Sequence, residues 1–502
     1  MMTAEKMNFS KSLSELLIGL AECNDSINVS GVAIDSRLVN TGDVFMAYRG
    51  YIVNGVDYID DAVQAGAVAV LVDEVESLNS DSFTVPIIKV PELRKQAGVI
   101  TSRFYDEPSK QINLVGVTGT NGKTTVSYMI AQVLYSLGKQ SAVIGTIGNG
   151  PFGKIESDQT TTPDPVKLHS LFADWVNNVD SVVMEVSSHA LHQARVAGTD
   201  FDTAIFTNLS RDHLDYHQSI DEYADAKFEL FKLVGLKNAI INIGDEYGVK
   251  FVDKLADDLN VIAYSTKLKK LDNVNENIKY VYCENIETQE LKTTLTVQSP
   301  WGRVTIKTSL LGDFNIDNCL AAFSALCLSG LAADEAAKAL SQFNGVPGRM
   351  ECFSKENSPL VIVDYAHTPD ALEKALQSLK PYCVGKLYCV FGCGGDRDIG
   401  KRAEMGMIAE KLSDHAVITN DNPRTESEEQ IVEHILQGIE DRHNVTITYD
   451  RSEAITNTFL NADADDIILV AGKGHETTQQ IGSTFYPFSD RELARRLTEG
   501  EQ

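Results

Sequence analysis

Short apolar runs alternate with helix-length amphipathic stretches along most of this chain. "INLVGV" (112–117), "SAVIGTIG" (141–148), "SVVMEV" (181–186), "TAIFTN" (203–208) and "NAIINI" (238–243) read as buried strands. Between the first two lies "TTVSYMIAQVLYSLG", a helix expected to end at Gly138, where glycine suits a left-handed cap. The logic repeats later: "PLVIVDYAH", "KLYCVFG", "VTITYD" and "DIILVAG" as strands, "DALEKALQSLK" and "EQIVEHILQGIE" as helices. Near-continuous apolar strands separated by helices predict mainly parallel sheets covered on both faces. The first hundred residues are less regular. "VAVLVDEV" (68–75) reads as a strand, while "GVAIDSRLVNTGDVFMAYRG" (31–50) mixes strand and turn signals.

Two punctuation points divide the chain. "YDEPSK" (105–110) is polar and contains proline, and "GVPGR" (345–349) suits a hinge. The expected organisation is therefore α/β with three domains. These are an N-terminal domain at 1–108, a central P-loop-type domain with a mainly parallel sheet at 109–346, and a doubly wound, Rossmann-like C-terminal domain at 347–502. A length of 502 residues exceeds what one core usually supports.

Composition narrows the partners. A net charge of −27 argues against nucleic acid, whose backbone calls for clustered Lys and Arg. The 8 cysteines are scattered without a Cys-x-x-Cys pair, as expected of reduced, mostly buried thiols. "LLIGLA" (16–21) is too short to span a bilayer and poorly shaped as a secretory signal. A cytoplasmic protein without membrane insertion, working as a monomer on small molecules, is expected.

"GVTGTNGKTT" (116–125) raises the chemistry. The usual phosphate loop places four residues between its glycines, whereas Gly116 and Gly122 enclose five, with Gly119 among them. It follows a strand and opens a helix, so its N–H groups and the helix dipole form an anion site. Lys123 would reach terminal phosphates and Thr124 would touch Mg²⁺. Glu185 closes a strand and fits either a magnesium ligand or an exposed strand end. His213, in "NLSRDHLDYH", reads on its own as an ordinary loop histidine, and Lys227 as a surface helix lysine. Asn422 and Pro423 in "DNPR" fit the start of a helix, and Asp364 fits a cap for "PDALEKAL".

Taken in order, "GTNGKTT", "MEVSSHAL", "NLSRDHLDYH", "DYAHTPDAL", "FGCGGDRDIGKR", "DNPR" and "GKGHE" resemble the ATP-dependent muramyl ligases of peptidoglycan synthesis over almost the whole chain. The resemblance implies ATP and Mg²⁺, and an acyl phosphate that an amino acid's amine converts to an amide. It implies ATP contacts at Gly119, Thr120, Asn121, Gly122, Lys123, Thr124, Thr125, Asn315, Asn318, Arg349, Asp364 and His367. It puts magnesium at Thr124, Glu185, His213 and Lys227, the last as N6-carboxylysine, and catalysis at Lys123, Glu185, His213, Lys227 and Arg349. A UDP-sugar would meet Ile34, Ser36, Thr160, Thr161, Thr162, Ser187, Gln193 and Arg195. "GYIVNGVDY" (50–58) departs from the family pattern there.

Diaminopimelate would meet Arg397, Asp421, Asn422, Pro423, Arg424, Gly472 and Glu476. Arg424 carries the choice of amino acid, because a guanidinium fork pairs with a carboxylate that lysine lacks. A P-loop kinase or motor, a folyl-polyglutamate ligase and a non-catalytic nucleotide-binding module are the competing classes.

Overall fold

The computed structural model describes residues 9–23, 27–51, 53–73, 83–158, 160–214, 216–268, 270, 277–289 and 292–499. Glu74 and Val75 of the first-zone strand, Ile52 of "GYIVNGVDY" and Asp215 of "DHLDYH" lie outside the described residues.

Three sheets carry the chain. The first has four parallel strands in sequence order: Gly31–Ala33, Asp43–Ala47, Ala69–Asp73 and Ile87–Val90. The mixed signals of 31–50 are two short strands joined through a 3-10 turn at Ser36–Leu38. Helix Leu93–Phe104 follows, and its Gly98 faces the middle of the chain at close range. A Cβ at Gly98 would lie 2.1 Å from the Ala197 carbonyl, so the two regions touch backbone to backbone.

The second sheet has ten strands. At its heart Asn113–Thr118 pairs in parallel with Ser181–Glu185 on one side and Thr203–Phe206 on the other. Ser141–Gly145, Asn238–Asn242 and Asn260–Ser265 extend the parallel part. Lys279–Gln289 joins in parallel, and Lys292–Ser299 and Gly302–Thr308 close that edge antiparallel. Gly148–Pro151 closes the other edge antiparallel. Each face has its own apolar core, one under helices Lys123–Ser136 and Asp313–Leu328, the other under Pro165–Trp175 and Ile220–Phe228. The first of these helices ends at Ser136, with Gly138 left-handed at φ 78°.

The third sheet has six strands, with the order Glu351–Phe353, Leu360–Asp364, Ile467–Ala471, Leu387–Phe391, His415–Ile418 and Val445–Ile447. All but the first run parallel, with cores on both faces. This is the doubly wound pattern expected, and the strand order reverses beside Ile467–Ala471. Ligands of open parallel sheets bind beyond the carboxyl ends of strands at such a switch. Arg451, fully buried, clamps that end. Its guanidinium pairs with Asp490 at 2.8 Å and donates to the carbonyls of Asn420 (3.3 Å) and Ala471 (2.9 Å), tying together the exits of two strands.

Among the described residues no helix is long and apolar enough to cross a membrane. Among the described residues the cysteines form no disulfide; five of them are buried, while Cys352 is exposed.

Candidate active site

The central strand delivers its chain into the glycine loop, and the glycines are there for space. Gly119 (φ 149°) would drive a Cβ to 1.9 Å from Thr207 Oγ1, and Gly122 (φ 87°) to 2.4 Å from Asn318 Oδ1. Asn318 in turn donates to Asn315 Oδ1 at 3.0 Å, so both asparagines sit buried against the loop. The loop is tied to the next strand exit: Asn121 N–H donates to Asn208 Oδ1 (3.0 Å), and Thr207 Oγ1 donates to the Asn121 carbonyl (2.6 Å). Thr120 shares a hydroxyl contact with Tyr223 at 3.2 Å, and Thr125 is buried in the first helical turn.

Glu185 is buried at its strand end, not an exposed tip. It accepts from Thr124 Oγ1 at 3.0 Å and from Thr146 N at 2.8 Å. Arg349 reaches the same threonine from the third sheet's side, with Nη2 3.1 Å from Thr124 Oγ1 and its guanidinium 4.3 Å over the Tyr365 ring. Its Nε is buried without a hydrogen-bond partner among the described residues. A guanidinium held beside a phosphate loop with a donor to spare suits an anion.

Lys227 corrects the reading of its residue type. Far from being a surface lysine, it is 1% exposed on helix Ile220–Phe228. Its Nζ donates to the Gly119 carbonyl at 2.8 Å and lies 4.2 Å over the Tyr223 ring. Lys123 Nζ donates to that same carbonyl at 2.9 Å. Burial pushes the Lys227 pKa well below the ordinary lysine value, and the Lys123 charge pushes it further. Both effects favour the neutral amine, the form that reacts with CO₂. The helical pattern hid this because the polar end sits under the glycine loop, which no period of the helix reports.

His213 adopts φ 53° and packs edge-on to His189 at 4.8 Å; its Nε2 lies 3.4 Å from Asp212. Among the described residues no three His, Cys, Asp or Glu side chains gather closely enough to hold a metal ion. The oxygen donors brought together are Thr124 and Glu185.

Thr162, Ser187, Gln193 and Arg195 form one connected cluster. Thr162 Oγ1 accepts from Ser187 N at 3.1 Å, Arg195 Nη1 donates to the Thr162 carbonyl at 3.0 Å, and Arg195 Nε donates to Gln193 Oε1 at 2.9 Å. Thr161 contacts Thr146 at 3.2 Å, and Thr160 is exposed. Ile34 and Ser36 follow the first strand of the first sheet, where Ile34 packs on the local core and Ser36 begins the 3-10 turn. The tip at Tyr51 does reach across: its hydroxyl meets His192 Nδ1 at 3.0 Å.

On the third sheet, Asp364 caps no helix. It accepts from Met350 N (2.7 Å) and Ala366 N (2.8 Å), while Thr368 caps Pro369–Leu379. His367 binds the Tyr365 carbonyl through Nδ1 at 2.7 Å. "DNPR" likewise starts no helix, since helix Glu428–Leu436 begins after Ser427, whose hydroxyl takes the capping bond. Asn422 is occupied elsewhere: Oδ1 accepts from Lys473 (3.0 Å) and Gln480 N (2.9 Å), and Nδ2 donates to Glu476 (3.0 Å). Arg424 then turns left-handed (φ 53°) beside the 478–487 hairpin, with Nη1 2.7 Å from the Gly395 carbonyl.

Sequence reasoning missed the supports. Fully buried Arg402 pairs with Glu426 through two 2.8 Å bonds and bolts the loop to its neighbouring helix. Buried Lys473 holds Glu476 at 2.7 Å. Gly394 leaves room for Arg424, whose Nη1 would be 2.9 Å from a Cβ there. Gly472 does the same for Asp421 at 2.7 Å. Arg–carboxylate spacing across 24 residues gives no local signal.

A cleft of about 940 Å³ lies between the second and third sheets. Thr161, Asp212, His213, His367, Arg397, Asp421, Asn422, Arg424, Gly472 and Glu476 are among the residues lining it. A phosphate loop facing a basic and acidic pocket on a second nucleotide-type sheet defines an ATP-using enzyme that brings two further reactants to one place.

Comparison with known proteins gives that class a family. Three family models match in order: "Mur ligase family, catalytic domain" at 28–105, "Mur ligase middle domain" at 117–326 and "Mur ligase, glutamate ligase domain" at 348–474. A UDP-N-acetylmuramoyl-L-alanyl-D-glutamate–2,6-diaminopimelate ligase of Coxiella burnetii is 44% identical, over 97% of this chain and 99% of its own length. One of the same name from Pseudomonas aeruginosa is 42% identical over 93% and 94%. A solved structure of a ligase with that name superposes with a TM-score of 0.69 at 32% identity, covering 98% and 99% of the two chains. Folylpolyglutamate synthase of Mycobacterium tuberculosis, solved with ADP and AMPPCP, shares the fold at 18% identity, TM-score 0.60, over 76% of this chain. The chain belongs to the Mur ligase family.

Proposed function

We propose that this enzyme joins diaminopimelate to UDP-N-acetylmuramoyl-L-alanyl-D-glutamate with ATP, in the synthesis of a peptidoglycan precursor. The observation that carries this reading is a cleft lined by Asp212 and His213 from the second-sheet side and by Arg424 and Glu476 from the third, beside a phosphate loop that Arg349 reaches through Thr124. Relatives bearing that name match over nearly their full length, and lend it support.

A carboxylate does not acylate an amine directly, since oxide is too poor a leaving group. An oxygen of the D-glutamate carboxylate attacks the γ-phosphorus, the bond to ADP breaks, and an acyl phosphate forms. The amine nitrogen then attacks the carbonyl carbon, phosphate leaves, and the nitrogen loses a proton. Such a transfer asks mainly for alignment and charge neutralisation. The loop N–H groups, Lys123 and Arg349 supply positive charge, with Asn315 and Asn318 supporting the loop and Asp364 and His367 on the ATP side. Thr162, Ser187, Gln193 and Arg195 hold the sugar-diphosphate end, with Thr160, Thr161, Ile34 and Ser36 further along it.

Thr124 and Glu185 present hard oxygen donors, and with His213 and a carboxylated Lys227 they would hold Mg²⁺. When bound, the ion neutralises phosphate charge. Carboxylation would leave an anion at 227, and the burial that lowers the Lys227 pKa favours the neutral amine from which it would form.

In the amino-acid pocket Arg424 pairs with the distal carboxylate, and Glu476, kept in place by Lys473 and Asn422, pairs with the distal ammonium. Arg397, Asp421, Pro423 and Gly472 shape the rest. Phosphate release measured with each substrate omitted tests the proposal. Release that needs both the UDP-linked dipeptide and diaminopimelate is expected; full-rate release with either missing would make the protein a simple NTPase.

A further inference from the structure

Asp370 is part of none of the groups assigned above, yet its carboxylate joins two parts of the fold. It stands in the first turn of helix Pro369–Leu379, beside the third sheet. Its Oδ2 accepts from Asn121 Nδ2 at 3.0 Å and from Ser210 Oγ at 2.9 Å. Asn121 lies inside the phosphate loop. Ser210 lies beyond strand Thr203–Phe206, and its N–H donates to Thr120 Oγ1 at 3.0 Å. One carboxylate therefore holds Asn121 directly and Thr120 through Ser210.

Local structure does not require this residue. Thr368 already caps the helix, with Ala371 N–H donating to its hydroxyl, and an acidic residue in the first turn adds only a modest dipole contribution. Lys374, one turn on, lies 2.9 Å away and balances the charge. What the side chain does that a helix would not need is grip two loops of another sheet at the rim of the cleft.

We propose that Asp370 is a positioning residue that ties the phosphate loop to the C-terminal part, so that the loop takes its phosphate-cradling shape only while the two are docked. The idea rests on the ligase reading and deepens it: the nucleotide site is completed by the same body that carries the amino-acid pocket. ATP is thereby set for transfer when the acceptor's side of the cleft is in place, which limits loss of the activated intermediate to water.

A double-mutant cycle on the full-length enzyme tests this, using Asp370→Ala, Asn121→Ala and the pair. Three readouts are needed: steady-state ligation, equilibrium binding of ADP alone, and thermal melting. Asp370→Ala is expected to raise the KM for ATP and weaken ADP binding about tenfold, the loss of a charge-assisted hydrogen bond. The amino-acid KM should stay within about twofold and the melting temperature should hold. The double variant should be no worse than the weaker single one, and Asp370→Asn, which keeps an acceptor oxygen, should recover part of the loss. Additive losses, a wild-type ATP KM in Asp370→Ala, or a melting drop that accounts for the lost activity would each overturn the proposal. Should wild-type phosphate release ignore the acceptors, the ligase reading falls, while the ADP-binding cycle still decides the role of Asp370.

Discussion

Glu426→Ala is the sharpest way to ask whether the "DNPR" loop is held in shape from behind. Arg402 is fully buried, and each of its terminal nitrogens donates to one Glu426 oxygen at 2.8 Å. What would remain is the Gly394 carbonyl at 3.2 Å and His434 Nδ1 at 3.1 Å, while Nε already lacks a partner among the described residues. Breaking a buried pair by removing one member usually costs about 3–5 kcal/mol. Here the carboxylate is 20% exposed, so water offsets part of the loss and about 2–3 kcal/mol is expected. Both tryptophans, Trp175 and Trp301, lie in the second-sheet region, so their fluorescence would miss the event. Hydrogen exchange of amides in the third sheet and its helices would see it. The same variant should raise the KM for diaminopimelate, because Arg424 is two residues away on the loosened loop. Unchanged exchange together with unchanged KM would refute the reasoning. There is also a pH signature. The Arg402 hydrogen bonds hold the Glu426 pKa down to about 2. A folded value below the unfolded one, about 4.3, means the stabilisation is complete above that pH and fades as pH falls toward 2. Glu426→Gln should flatten stability across that window.

Arg424→Ala should cost diaminopimelate about ten- to a hundredfold in kcat/KM while ATP binding changes little; equal losses for both ligands would count against the pocket. Lys227→Ala should abolish ligation, with excess bicarbonate unable to restore it, and should remove a ¹³C-carbamate signal from enzyme equilibrated with labelled bicarbonate. Full activity in that variant ends the carboxylysine proposal. Gly394→Ala places a methyl 2.9 Å from Arg424 Nη1, at the far end of a flexible chain. The fold should survive within about 1 kcal/mol, while the guanidinium moves and diaminopimelate KM rises; a KM at the wild-type value would show that Arg424 is not seated by that glycine.

The fold was readable where apolar strands and amphipathic helices alternate, as around Asn113–Thr118 and Leu360–Asp364. It was least readable in Gly31–Ala33 and Asp43–Ala47, whose five residues or fewer carry no period to count, and in the antiparallel edge at 279–308, where no strand was anticipated. Local capping rules failed twice at the cleft for the same physical reason. Asn422 and Asp364 have side chains that suit helix starts, but partners distant in sequence compete for their oxygens, and Ser427 and Thr368 are free to take the caps. Lys227 shows the limit most plainly, since only the glycine loop folding over it buries a helix lysine and lowers its pKa. The supports, Arg402, Arg451, Lys473 and Asp370, join residues far apart in the chain and left no pattern to read.

The central claim is that a guanidinium at 424 selects an amine-bearing acid with a second carboxylate at its far end. Ligation rates with meso-diaminopimelate, lysine and ornithine, at saturating ATP and UDP-linked dipeptide, test it most directly. Diaminopimelate should exceed both by at least about tenfold in kcat/KM, and the gap should close in Arg424→Ala. Equal use of lysine by the wild-type enzyme would contradict the account.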